Sequence, residues 1–166
     1  MPEADAARRL PRWGELPDLE LYMDQVLGLV ARSLEPFPGF DEKGLTAAMV
    51  NNYVKQGALP PPVKKRYRRE HVARLIILCL MKSSFPISAI ARLLEGVQTR
   101  HSPEEVYSIF CERFEAAVAE TAIAPDEAGV SPYAAVLRAA LRAQAERALA
   151  LRLLGAAFPE GEAEKS

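Results

Sequence analysis

The stretch that decides the fold is residues 45–94, LTAAMVNNYVKQGALPPPVKKRYRREHVARLIILCLMKSSFPISAIARLL. Thr46 is placed to cap a helix, Met49, Val50 and Tyr53 share one face, and Gly57 stands where a left-handed residue stops it. The spacing predicts a short helix over 46–56 that turns Asn51, Asn52, Lys55 and Gln56 to solvent. Leu59-Pro60-Pro61-Pro62 follows, an extended run whose prolines lack backbone donors and cannot continue a helix. A basic cluster starts there: Lys55, Lys64, Lys65, Arg66, Arg68, Arg69 and Arg74 are opposed in that interval by Glu70 alone, with Tyr67 among them. Two more helices are predicted, over 70–82 and 87–94. The first is apolar nearly all round, from Val72 through Met81, and must be buried from several sides. Ser83-Ser84 breaks it, Pro86 opens the next, and Ile90, Leu93 and Leu94 can pack back before Gly96 supplies an exit.

Working outward, residues 1–12 are small, charged and without periodicity, and read as a disordered leader, with Trp13 the first fixed point. A helix over 18–34 would set Leu19, Tyr22, Val26, Val30 and Leu34 near one face, and Pro36-Phe37-Pro38-Gly39 ends it. Downstream, Ser102-Pro103-Glu104-Glu105 combines an N-cap, a proline at the first helical position and a capping-box glutamate. The helix it starts should reach about Thr121 and carry the stripe Val106, Phe110, Phe114, Val118. A loop around Pro125 to Gly129 leads to Ser131-Pro132 and an Ala/Leu-rich helix to about Leu154.

At 166 residues the chain is about one ordinary domain with a small appendage, and its net charge of −1 hides the one basic window. Cys79 and Cys111 lie in separate apolar helical patterns and read as buried free thiols, which fits a reducing cytoplasm. Arg8, Arg9 and Arg12 are followed by no apolar run, and Leu75 to Met81 is far shorter than the roughly 20 residues of a membrane span. These features predict a soluble, cytoplasmic protein.

Three pieces carry a family resemblance: NYVKQGALP from Asn52, RYRREHVARL from Arg66 and FPISAIARLL from Phe85. In order and spacing they are similar to the winged helix-turn-helix of the mercury-resistance-regulator (MerR) superfamily. With DLELYMD from Asp18 and the triple proline added, the chain more closely resembles a bacterial domain-of-unknown-function family, number eighteen-thirty-six, over roughly residues 13–95. Pro-Pro-Pro-Val-Lys-Lys replaces the Gly-containing hairpin of the MerR pattern. The resemblance implies an all-α fold: a MerR-like helix-turn-helix DNA-binding domain over 13–96, any sheet confined to a vestigial wing. After it come C-terminal helices over 97–155, a helical hairpin for packing and dimerisation, and a flexible tail over 156–166.

The function this implies is sequence-specific binding of double-stranded DNA by a bacterial transcriptional regulator. Asn51 and Asn52 would read bases; Lys55, Lys64, Lys65, Arg66, Arg68 and Arg69 would hold phosphates. Tyr67 is either a packing residue that anchors the wing or a phosphate contact. Leu137, Leu141, Ala148 and Leu151 form a stripe suited to a second copy of the chain, hence a homodimer. An alternative is a helical protein-interaction module that has lost DNA binding and turns its basic patch to an acidic partner. An RNA binder is a weaker third, since paired exposed aromatics for base stacking are missing. His71 and His101 have no ligand-spaced neighbours, so no metal and no cofactor is expected. With no phosphate-cradling Gly-rich loop, nucleophile elbow or Cys/His pairing, neither is an enzyme.

Overall fold

A computed structural model describes residues 8–122 and 131–159. Among them are six α-helices, no strand and two isolated β-bridges, so the architecture is all-α. The helices are α1 (Met23–Leu34), α2 (Ala47–Lys55), α3 (Arg69–Met81), α4 (Ile87–Gln98), α5 (Pro103–Ala122) and α6 (Pro132–Ala157). The chain divides into two units between Ala119 and Glu120. None of the described helices is long and apolar enough to cross a membrane.

In the first unit α3 is central, with every residue from His71 to Leu80 buried, His71 and Arg74 included; the unbroken apolar run from Leu75 on requires that burial. α1 and α4 pack on it, and α1 also meets α2. Val26, Val30 and Leu34 supply the buried face of α1, but this helix begins at Met23 and not at Asp18. Leu21 instead exchanges both backbone hydrogen bonds with Tyr67, at 2.8 and 2.9 Å, and residues 17–20 before it are not helical. Tyr22 N–H is then satisfied by Gln25 Oε1 at 2.9 Å, and Leu19 and Tyr22, expected inside, are exposed.

The link between α1 and α2 is packed, not a bare turn. Phe37 and Phe40 set their rings edge-to-face on Phe114 of α5 at 5.0 and 5.1 Å. Asp41 forms a 2.9 Å ion pair with Lys82 that is almost sealed from water. Either charge alone would be costly at that depth.

α4 runs through Gly96 to Gln98 rather than leaving there. A glycine inside a helix costs only about 1 kcal/mol, and the extra turn brings Gln98 to Arg74. α5 starts as its capping box dictates, with Glu105 N–H donating to Ser102 Oγ at 3.2 Å and Ser102 N–H to Glu105 Oε2 at 2.8 Å. Its stripe of Val106, Phe110, Phe114 and Val118 packs on the core, but Tyr107 and Cys111 beside it are the fully buried residues. α5 thus belongs to the first unit as far as Ala119, whereas the sequence groups it with the C-terminal helices.

The chain is also fixed before Trp13, contrary to a leader extending to residue 12. Leu10 is fully buried, its N–H donates to Glu115 Oε1 at 2.7 Å, and Arg12 grips the same carboxylate with two bonds of 2.8 and 2.9 Å. Tyr107 Oη donates to the Pro11 carbonyl at 2.8 Å. The reason is non-local: the partners of this polar segment lie on α5. Residues 1–7, the loop around Pro125 and the tail from residue 160 lie outside the described residues.

Taken by itself, α6 is a continuous helix of 26 residues none of which is buried.

Candidate nucleic-acid interface

α2 is held by local chemistry at both ends. Thr46 Oγ1 accepts from Met49 N–H at 3.2 Å. At the other end Gly57 takes φ +71°, Ala58 N–H reaches Tyr53 O at 2.9 Å, and Gly57 N–H reaches Val54 O at 3.1 Å, the paired bonds of a Schellman cap. Val50 and Tyr53 are buried and Met49 and Val54 half-buried, so Ala48, Asn51, Asn52 and Lys55 all face solvent. At about 100° per residue, Asn51 and Asn52 sit about 50° to either side of the outward direction, with Ala48 and Lys55 between them. The helix therefore presents the two asparagines as equals across a narrow line of small residue and cation.

After α2 the chain builds a two-residue hairpin. Val63 and Arg66 exchange both backbone hydrogen bonds, at 3.2 and 2.9 Å, while Lys64 and Lys65 take φ +51° and +61°. Two successive positive φ values are those of a type I′ turn, which normally takes Asn-Gly; a lysine there costs of order 1 kcal/mol. The prolines before it leave no donors on that edge. Both lysines are exposed, and neither they nor Lys55 forms an ion pair with a described residue.

α3 supports this hairpin from beneath. His71 is buried, its Nδ1 accepts from Arg68 N–H at 2.9 Å, and Nε2 faces the Pro61 carbonyl at 3.4 Å, so the ring touches both legs. That geometry assigns the tautomer with its proton on Nε2. Tyr67 is buried edge-to-face on His71 at 5.5 Å, which settles it as the packing residue. Arg74 is likewise buried and is not part of a surface cluster: its Nε donates to the Ala58 carbonyl and Nη1 to Gln98.

The remaining arginines are engaged as well. The Leu21–Tyr67 bridge sets Glu20 opposite Arg68 and Tyr22 opposite Arg66, and the side chains meet accordingly. Arg68 pairs with Glu20 at 3.5 Å, Arg69 with Asp18 at 3.9 Å and with the Leu16 carbonyl at 3.0 Å, and the Arg66 guanidinium lies 3.6 Å over the Tyr22 ring. Reading 66–69 as free cations missed these partners. The signal was present in the alternation of Asp18-Leu19-Glu20-Leu21-Tyr22, which suits a short strand beside Arg66-Tyr67-Arg68-Arg69.

Among the described residues no group of three or more His, Cys, Asp and Glu side chains could hold a metal. The two cysteines are buried and free, and burial pushes the Cys79 thiol up to about 12 and raises that of Cys111. On α6, Leu137 and Leu141 are 59% and 61% exposed, Ala148 is exposed and Leu151 half-buried.

The family known as Domain of unknown function DUF1836 matches residues 11–110, more than half of the sequence. The chain belongs to this family. No curated protein and no solved structure matches it. The DUF1836 region takes in α1 to α4, the hairpin, the segment paired with it and the start of α5, and ends before α6.

Proposed function

We propose that this DUF1836 protein binds duplex DNA in a sequence-specific way, as a regulator of transcription, through a MerR-like helix-turn-helix. In this reading α2 enters the major groove, where Asn51 and Asn52 pair with base edges, and Lys55, Lys64 and Lys65 meet phosphates. The observation that carries it is the outward face of α2: two asparagines and a lysine, none hydrogen-bonded or ion-paired to another described side chain, on a helix capped rigidly at both ends. Lysines kept at strained turn positions support a surface role, because packing gives no reason for them there. We further propose that the protein works as a homodimer paired through α6, as two half-sites require.

The test is a gel shift with genomic DNA fragments at two salt concentrations, followed by selection of binding sites from a random duplex library. Binding that weakens steeply with salt and yields a consensus is expected, and Asn51→Ala and Asn52→Ala should each relax one side of it. Identical consensus sequences for the parent and both variants would remove α2 as the reading head.

A second reading, a protein-interaction module with an acidic partner, draws on the ion pairs Glu20–Arg68 and Asp18–Arg69, which reduce the positive field of the hairpin base. Absence of any duplex binding at low salt would favour it.

A further inference from the structure

The arginines of residues 66–74 differ in what their donors are doing. Arg74 donates to the Ala58 carbonyl and to Gln98, Arg69 donates to the Leu16 carbonyl and pairs with Asp18, and Arg68 gives one donor to Glu20. The Arg66 side chain donates no hydrogen bond to a described residue, yet it is not loose: its guanidinium carbon sits 3.6 Å from the centroid of the Tyr22 ring. Such stacking uses the face of the guanidinium and leaves its N–H edges unspent. The backbone that carries Tyr22 is fixed in turn, because Leu21 before it exchanges both backbone hydrogen bonds with Tyr67 and Tyr22 itself leads into α1. Arg66 also follows directly on the turn that carries Lys64 and Lys65, and its backbone is locked to Val63.

We infer that Tyr22 is a positioning residue that holds the Arg66 guanidinium as a pre-oriented fork for a backbone phosphate of bound DNA, next to the two turn lysines. The inference rests on the DNA-binding reading and deepens it. A planar fork matches two phosphate oxygens, and a side chain ordered before contact loses less entropy on binding than a free lysine does. Tyr22 is about half in solvent, so its removal tests the stack more than the core.

The experiment is fluorescence anisotropy with a labelled mixed-sequence DNA duplex across a salt titration, on the full chain, for the parent, Tyr22→Ala, Tyr22→Phe, Arg66→Ala and the Tyr22→Ala/Arg66→Ala double variant. Tyr22→Ala should weaken binding several-fold and flatten the salt dependence by up to about 0.9, one phosphate contact. Tyr22→Phe should bind as the parent does, since the ring is retained. In the Arg66→Ala background Tyr22→Ala should change nothing further. Circular dichroism and thermal melting check that each variant is folded. If the parent binds and Tyr22→Ala binds equally well, or costs the same without Arg66, the positioning role is wrong while DNA binding stands. A parent that binds no duplex overturns both.

Discussion

Arg74 Nε donates to the carbonyl of Ala58 while its Nη1 reaches Gln98 Oε1 at 2.9 Å, so one buried cation joins the exit of α2 to the end of α4. Burial pushes its pKa below the usual guanidinium value, opposed by Glu95, but a guanidinium keeps its charge near neutrality. The same side chain explains why α4 continues past Gly96.

Replacing Arg74 by Met should therefore act on stability. It leaves the buried Ala58 carbonyl without its donor, at a cost of about 1–3 kcal/mol, whereas the exposed Gln98 amide can turn to water. A loss of about 1–3 kcal/mol in urea denaturation is expected. Lys at this position should recover only part of it, because a single ammonium cannot serve two acceptors set for a fork. A midpoint unchanged in Arg74→Met would contradict the assignment.

The turn lysines predict effects of opposite sign on stability and binding. Lys64→Asn with Lys65→Gly supplies the residues a type I′ turn prefers, and should raise stability by about 1–2 kcal/mol. The same change removes two exposed cations, so the salt dependence of duplex binding should flatten by up to about 0.9 per lysine. Melting and anisotropy on one preparation would read both. A variant no more stable than the parent would refute the strain; one with an unchanged salt slope would refute the phosphate contacts.

What could be read from the sequence depended on whether the deciding partner was near in the chain. Thr46, Gly57 and the Ser102–Glu105 box act within a turn, and the elements they bound were legible to within a residue or two. The unbroken apolar run of α3 needed no partner to be recognised as core. The exposure of Asn51, Asn52 and Lys55 followed from periodicity alone. The start of α1 did not, because the Leu21–Tyr67 bridge overrides a helical pattern from far along the chain. Leu10 and Arg12 were missed for the same reason, since Glu115 holds both. Arg74 had the composition of a surface cluster and the position of a core residue.

Alkaline pH should weaken the first unit. Burial pushes Cys79 from 9.0 up to about 12, with Asp41 adding to it, and Tyr53 from 10.0 up to about 12; it also raises Tyr107. Groups whose pKa is raised on folding favour the folded state while the unfolded chain is still protonated, and that advantage fades as the unfolded chain ionises. The contribution is complete below about pH 9 and is lost as pH rises toward about 12. Urea midpoints should hold steady from pH 7 to about 8.5 and fall between about 9.5 and 11. Cys79→Ala should lessen the earliest part of that fall, the remainder coming from Cys111, which burial also raises. A parent curve flat to pH 11, or one that Cys79→Ala leaves unchanged in shape, would exclude the mechanism.

The proposed pairing of α6 with a second copy makes a prediction that separates assembly from recognition. Leu137, Leu141, Ala148 and Leu151 fall within an arc of about 80° at 100° per residue, and Gln144 lies inside it. A polar residue in such a seam fixes register at some cost in stability. Leu137→Glu with Leu141→Glu places charge on two residues that are 59% and 61% exposed in the single chain, so the fold should survive and the dimer should not. Sedimentation should then show a monomer, and affinity for a two-half-site duplex should fall by far more than affinity for one half-site, because the second contact is no longer tethered to the first. Gln144→Leu should tighten association and broaden the range of oligomers. A parent that sediments as a monomer at tens of micromolar would rule out the homodimer, and equal losses on one and two half-sites would show that α6 acts on the DNA contact itself.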